Sequence, residues 1–310
     1  MIVTGRKSWL EHIIAIRGTS FIHTWKRITF STVVSIAVVF LYQFCVRDDR
    51  VWPFESAPFG PLGLALGIFL GFRNNESYNR YWNGRKIWGR LVNVSRTFSR
   101  QVFTFVNAPE EESKAHCREL TYRMIAYVTS LRHHLRDSEP FQELKPFLDD
   151  GEPESLKGQK NIPMTITQGT AKKLKALWQK DLISDIHLQT LDESLTEMLG
   201  IQGGCERIRA TPIPYVYTVL IHRLTAFYCF ILPFAIVEKA ELLTPVLTFL
   251  VSYAFFGLDD LGEELTDPFG QSLNDLPLSA INRTIEVNLR QLIEDETIPE
   301  LLKPVNGYLD

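Results

Sequence analysis

Carboxylates are the side chains whose spacing in this sequence best suits chemistry. Five of them fall within residues 259–267 on one predicted helix, with members at i, i+4 spacing. Oxygen ligands of this kind bind hard cations such as Ca²⁺. The alternative is a solvated helix end, or one whose carboxylates pair with nearby arginines. With one more acid further along the chain, the candidate ligands are Asp259, Asp260, Glu263, Glu264, Asp267 and Asp275.

The other reactive residue types form no pattern of a known catalytic or metal site. The cysteines are scattered without a CxxC pair, so neither a disulfide nor a zinc framework is expected. His133 and His134 are adjacent, so they point to different faces of a helix and make a poor metal pair. There is no glycine-rich phosphate loop and no triad pattern. The sequence therefore predicts a protein that is not an enzyme and needs no cofactor.

Charge and hydropathy indicate where the chain resides. The 310 residues carry a formal net charge of −3, without the basic excess that would suggest nucleic acid. A membrane span needs about 17 to 25 apolar residues. The sequence has four apolar runs at or just below that length, and charges end each run abruptly. This pattern predicts an all-α, polytopic membrane protein. A soluble all-helical protein is the alternative. The runs are residues 28–46, 56–72, 224–237 and 242–258.

The runs form two pairs, each with a short connection, 47–55 and 238–241, so each pair is predicted to be an antiparallel hairpin. Lys and Arg precede the first run, follow the second and precede the third, which places both termini and the middle of the chain in the cytosol. Apolar residues recur at helical steps in 114–137 and 171–200. The predicted segments are a cytosolic N-terminal segment 1–27, a hairpin 28–72, a cytosolic helical region 73–211, a hairpin 212–258 and a cytosolic C-terminal segment 259–310.

The second run carries a regular stripe of glycine. In GLALGIFLGFRNNESYNRYW, residues 63–82, glycine recurs at Gly63, Gly67 and Gly71. Each should cost a helix about 1 kcal/mol relative to alanine. Small residues at this spacing let helices approach closely in a bilayer, so this face is predicted to pack against a neighbouring helix.

A second stripe on the same helix consists of Leu64, Ile68 and Phe72. Lipid would accept such a face, and so would the axis of a bundle, where rings of these side chains would form a dry constriction that gates ions by dewetting. The helix continues without proline into a polar segment that carries Glu76 and Arg80 close to the same stripe. A charged vestibule of this kind favours the axis, and hence a pore.

Three segments resemble the bestrophin family, and its bacterial branch in particular. They are FLGFRNNESYNRYWNGRKIWG (69–89), GGCERIRATPIPYVYTVLIHR (203–223) and EELTDPFG (263–270), in the family's order. The resemblance extends from about residue 8 to 291. It implies a homopentameric channel in the inner membrane, with four membrane helices and a helical cytosolic part in each subunit. The expected partners are other copies of the chain, the lipid bilayer and monovalent ions.

The resemblance also implies site residues. The family's apolar neck falls on Leu64, Ile68 and Phe72, and its cytosolic constriction falls on Ile186 in LISDIHL, with Ile183 as a rival. Bacterial relatives tend to pass cations such as sodium, whereas animal bestrophins conduct chloride. A ring of Glu76 would favour cations and a ring of Arg80 would oppose them. We therefore expect cation selectivity, with a chloride channel as the alternative.

Calcium gating is not expected. In calcium-gated bestrophins an acidic run follows the PFG directly, whereas here that place reads QSLND (271–275). Only Asp275 offers a carboxylate there, and Ser272 occupies the position where a ligand acid is expected. Two alternatives of other classes remain: a secondary transporter, with breaks at Pro233 and Pro245, or a soluble helical metal enzyme using the 259–267 carboxylates.

Overall fold

A computed structural model describes residues 1–2, 9–47, 52–54 and 56–310. Its regular secondary structure is helical, and only isolated bridges between residues 2, 305 and 308 are β-like within those ranges. The predicted all-α class is confirmed. Residues 48–51 and 55 of the first predicted connection lie outside the described ranges.

The chain divides into two compact units. The apolar unit comprises residues 4–81 and 212–267, and the polar unit comprises residues 1–3, 82–211 and 268–310. Helix α3 begins in the apolar unit and ends in the polar unit. The helices of the apolar unit are α1 (Trp9–Ile14), α2 (Phe21–Arg47), the first part of α3 (Phe59–Phe105), α9 (Tyr215–Ala240) and α10 (Thr244–Glu264). Those of the polar unit are the rest of α3, α4 (Glu110–Leu135), α5 (Phe141–Leu144), α6 (Glu152–Ser155), α7 (Ile162–Gln179), α8 (Asp185–Ala210) and α11 (Leu278–Leu292).

Proline does not break the helices of the apolar unit. Pro233 lies inside α9, which continues through it, and Pro245 lies in the first turn of α10, where its missing N–H has no partner to lose. A 3-10 turn, Glu241–Leu243, joins these two helices. The breaks that a transporter would need at these prolines are therefore not present.

Polar side chains join the helices of the apolar unit. The buried hydroxyl of Ser31 on α2 donates to the carbonyl of Cys229 on α9 at 2.9 Å, and it lies 2.9 Å from the hydroxyl of Ser252 on α10. Hydrogen bonds between helices hold membrane bundles together, because lipid supplies no hydrophobic force between them. Ile28, Cys229 and Phe256 form a buried cluster among the same three helices.

Two segments of the described chain are long and apolar enough to cross a membrane: Phe21–Cys45 and Tyr215–Glu264, the second of which contains both α9 and α10. Only 28% and 33% of their most apolar windows are buried, whereas a soluble core helix would be mostly buried. The apolar start of α3 is not among them. Its stretch Phe59–Phe72 is only about 21 Å long, shorter than the hydrocarbon core of a bilayer, because charges begin at Arg73.

The polar unit has a buried core of helical side chains. Leu120 and Leu131 on α4, Leu174 on α7 and Leu191 on α8 are buried, as the spacing predicts. The apolar pattern over 171–200 belongs to two helices. Helix α7 ends at Gln179, Asp181 adopts a positive φ of 57°, and the Ser184 side chain accepts a hydrogen bond from the backbone N–H of His187 to cap α8.

Candidate functional site

The first part of α3 has one buried and one bare apolar face. Leu66 and Leu70 are buried against Ile221 of α9. On the other side, Leu64, Ile68 and Phe72 are 69%, 50% and 66% exposed. The helix thus presents a continuous row of large apolar side chains that the rest of the apolar unit does not cover.

The glycine stripe is covered at one position only. The side chain of Tyr228 on α9 lies so close to Gly63 that a Cβ added there would overlap its hydroxyl. At Gly67 and Gly71 a Cβ would meet no described atom within 4 Å. The predicted packing against a neighbouring helix is thus present at Gly63, whereas at the other two glycines it stays a prediction, because the described part of this chain supplies no such neighbour.

The residue directly after Phe72 is an arginine whose charged side chain is buried. The Arg73 side chain is fully buried, and its Nη1 donates to Asp259 Oδ1 at 2.5 Å and to the Asp259 carbonyl oxygen at 3.2 Å. Its Nη2 bonds to Glu263, one turn further along α10. The opposite oxygen of the Asp259 carboxylate lies 2.6 Å from His222 Nδ1 on α9. These four side chains are called the Arg73 cluster below.

The acidic residues of α10 therefore join helices. Asp259 connects α3 and α9 to α10, and the neighbouring Asp260 lies 3.2 Å from His23 Nδ1 on α2. Glu264 and Asp267 also interact with other groups of the protein. Among the described residues, no group of three or more His, Cys, Asp or Glu side chains is arranged to hold a metal ion. The geometry supports ion pairing, the alternative to the metal hypothesis.

Asp275, in the polar unit, has a local role. Its Oδ2 accepts a 2.6 Å hydrogen bond from the backbone N–H of Ser272, and its side chain is buried. This bond closes the turn after the PFG, within the segment QSLND (271–275).

The two predicted vestibule residues differ in their surroundings. Glu76 is exposed. Arg80 is half-buried, and its Nε donates to the Thr266 carbonyl at 3.3 Å. Burial lowers the pKa of the Arg80 guanidinium from its ordinary value, and the nearby carboxylates of Asp267 and Glu76 oppose that shift. Arg80 is thus turned toward the end of α10 and lies near two acids.

The structure separates the two isoleucines proposed for the second constriction. Ile186, in the first turn of α8, is 75% exposed, whereas Ile183 is 4% exposed. The turn between them is held by the Ser184 cap and by a 2.6 Å hydrogen bond from Trp178 Nε1 to Asp185 Oδ1. Of the two, Ile186 is thus the side chain at the surface of the chain.

Sequence reasoning missed Arg73, His222 and Tyr228 as site residues. A usable signal was present for the first two. Arg73 directly follows the second apolar run and His222 lies two residues before the third, and polar groups at such places usually face a partner. No signal identified Tyr228, since its contact with Gly63 depends on how α9 packs against α3.

Comparison with known proteins agrees with this geometry. The family model described as Bacterial/Fungal Bestrophin protein matches residues 1–291. The voltage-dependent anion channel-forming protein YneE of Escherichia coli (strain K12) is 36% identical over 308 residues, 99% of each chain. A protein named in the same way from Mesorhizobium japonicum is 33% identical over 99% of this chain and 97% of its own length.

A solved structure of a bacterial bestrophin homolog from Klebsiella pneumoniae is also similar. It is 34% identical, has a TM-score of 0.81, and the match covers 87% of this chain and 98% of that one. These relatives are channels rather than enzymes. The bare apolar face of α3, the whole-chain family match and the shared fold lead to one conclusion: the chain belongs to the bacterial and fungal bestrophin family and is a membrane ion channel.

Proposed function

We propose that this chain assembles with copies of itself, five by its resemblance to bestrophins, into a channel whose neck is lined by Leu64, Ile68 and Phe72. The single observation that carries the proposal is that this stripe is at least half exposed, although each member is a large apolar residue. Copies of the stripe around an axis would shield one another from water and form three apolar rings. Rings of this kind gate ion flow by dewetting.

The membrane arrangement follows from the same proposal. The four membrane helices would be α2, the apolar start of α3, α9 and α10, in the hairpins 28–72 and 212–258. Residues 1–27, 73–211 and 259–310 would be cytosolic, and the protein would span the inner membrane several times. The short apolar part of α3 fits a pore-lining role, because a helix shielded by its neighbours need not match the thickness of the lipid.

Charge below the neck supports selectivity for monovalent cations such as sodium. Between Phe72 and Arg80, the described helix carries three charged residues. Arg73 is buried beside the carboxylates of Asp259 and Glu263, and Arg80 is half-buried near those of Asp267 and of Glu76 itself. Glu76 is the exposed one, and a ring of carboxylates attracts cations.

Chloride is the second candidate, and a specific observation favours it. The relatives with 36% and 33% identity carry names that describe them as anion channel-forming proteins. We propose Ile186 as a second apolar constriction in either case, on its exposure and on the family pattern.

The deciding experiment is a reversal-potential measurement on the purified protein in a planar bilayer, with a NaCl gradient across it. A current that reverses near the sodium equilibrium potential supports the proposal, and the Glu76→Gln protein should then reverse nearer to zero. Reversal near the chloride potential would replace the cation channel by an anion channel. Native mass spectrometry of the detergent-solubilised protein tests the number of copies.

A further inference from the structure

We propose that Asp259 is a specificity-determining residue of the channel, because it holds Arg73 inside the helix bundle and cancels its charge beside the neck. This inference rests on the proposed function, in which Phe72 lines the pore. Asp259 itself lies on α10 and acts on the ion through Arg73.

Arg73 is the first charged residue of α3 and follows Phe72 directly. Consecutive residues of a helix point about 100° apart, so a side chain at position 73 lies beside the pore-facing stripe. A flexible arginine there would have the length to bring a positive charge to the mouth of the neck. Instead its side chain is fully buried and turned toward α10.

Close packing of two helices helps to keep Arg73 in this position. At Gly262 of α10, an added Cβ would overlap the side-chain oxygen of Asn74 and would lie 3.5 Å from Arg73 Nε. The absence of a side chain at position 262 therefore lets α10 approach α3 at the guanidinium.

Asp259 is held in place as firmly as Arg73. One carboxylate oxygen accepts from Arg73 at 2.5 Å, and the other lies 2.6 Å from His222 Nδ1. Its side chain is 1% exposed, whereas that of Glu263, the second partner of Arg73, is 57% exposed and therefore screened by water. Asp259 is thus the main compensating charge for Arg73.

Asp260 provides a matched control on the same helix. It has the same side chain and charge as its neighbour, but it lies 3.2 Å from His23 on α2, and its carboxylate forms no ion pair with the Arg73 cluster in the described part of the chain. Removing its charge changes the total charge of the subunit by the same amount and leaves Arg73 compensated.

The test compares four variants with the wild type by reversal potential in a NaCl gradient, using full-length protein in planar bilayers: Asp259→Asn, Arg73→Gln, the double variant that combines both, and Asp260→Asn. Size exclusion in detergent checks that each protein assembles like the wild type.

The expected changes have opposite signs. Asp259→Asn should lower the sodium-to-chloride permeability ratio about tenfold, because it leaves Arg73 with only the water-screened carboxylate of Glu263 as a compensating charge. Arg73→Gln should raise the ratio, and the double variant should restore it. Asp260→Asn should leave it unchanged. A general loosening of the helices would instead move both single variants in one direction.

Three results would overturn the inference: a wild-type ratio in an assembled Asp259→Asn protein, shifts of the same sign in both single variants, or no restoration in the double variant. If Asp259→Asn does not assemble, the other two variants test the inference. It then requires a raised permeability ratio in Arg73→Gln and a wild-type ratio in the double variant. A wild type that prefers chloride would contradict the proposed cation selectivity, yet the same shift toward chloride would still support the role of Asp259. No current from the wild type or from Phe72→Ala would overturn the channel proposal, and this inference with it.

Discussion

The hydroxyl of Tyr228 lies directly over the backbone of α3 at Gly63, and it donates a 3.4 Å hydrogen bond to the carbonyl of Phe59 one turn earlier. This contact brings α9 and α3 close together at the start of the proposed pore helix. The three glycines of the stripe therefore differ in their surroundings, since an added Cβ at Gly67 or Gly71 would meet no described atom within 4 Å.

Gly63→Ala should therefore destabilise the protein, because the new methyl group displaces the Tyr228 ring. We expect a loss of about 1 to 3 kcal/mol, the usual cost of overpacking. Thermal unfolding of the detergent-purified protein measures it. Gly67→Ala is the control and should not lower the stability of the single chain, since alanine favours a helix over glycine by about 1 kcal/mol. Equal melting temperatures for the two variants would contradict the role of the Tyr228 contact.

Phe72→Ala should raise ion flux, because removing one apolar ring widens and wets the neck. A barrier lowered by about 1.4 kcal/mol corresponds to about tenfold faster flux. Sodium flux into liposomes that contain the purified protein provides the measurement. Phe69→Ala is the matched control: the same residue type lies one turn earlier on the same helix, exposed on a different face beside Phe227 and Leu224. Flux that rises equally in both variants would exclude the stripe as the neck.

Ile183 and Ile186 should respond differently to truncation. Ile183→Ala removes a buried side chain and should cost about 2 to 5 kcal/mol of stability. Ile186→Ala changes an exposed residue and should alter stability by no more than about 0.5 kcal/mol, while increasing flux. Thermal unfolding and liposome flux on both proteins separate the two effects. An Ile186→Ala protein that is stable and has wild-type flux would remove this residue from the list of constrictions.

Acid should weaken the polar unit through Glu143. Its hydrogen bond with His133, together with the positive charge of Arg132, lowers the pKa of this carboxyl from 4.5 to about 2. A depressed carboxyl pKa contributes stability above the unfolded value, and this contribution is lost as the pH falls from about 4.5 to about 2. The side chain is half exposed, so we expect a small effect.

Melting temperatures of the wild type and Glu143→Gln between pH 6 and pH 2 provide the measurement. The wild type should be the more stable above about pH 4.5, and the two curves should converge near pH 2. A difference that stays constant with pH would show that the ionisation of Glu143 is not involved.

The sequence by itself determined the class of the fold and the stripe of the proposed neck. Apolar runs without charges, glycine at every fourth residue and the row Leu64, Ile68 and Phe72 are local patterns, and a helix converts such spacing directly into faces. The preference for Ile186 over Ile183 as a constriction came from a short motif. The structure adds a physical reason, because Ile183 is buried and Ile186 is exposed.

Only the tertiary structure decided which partners the charges have. Arg73 and Asp259 are separated by 186 positions, and no spacing rule links them. From the sequence alone, the acids of 259–267 could equally be metal ligands or members of ion pairs. In the fold, α3 and α9 pack against α10 and place Arg73 and His222 on opposite oxygens of Asp259. Helical periodicity determines which face of its helix a residue occupies. Which other helix covers that face depends on the packing of the whole chain. For the same reason the sequence could not distinguish Gly63, which Tyr228 covers, from Gly67, where an added Cβ would meet no described atom within 4 Å.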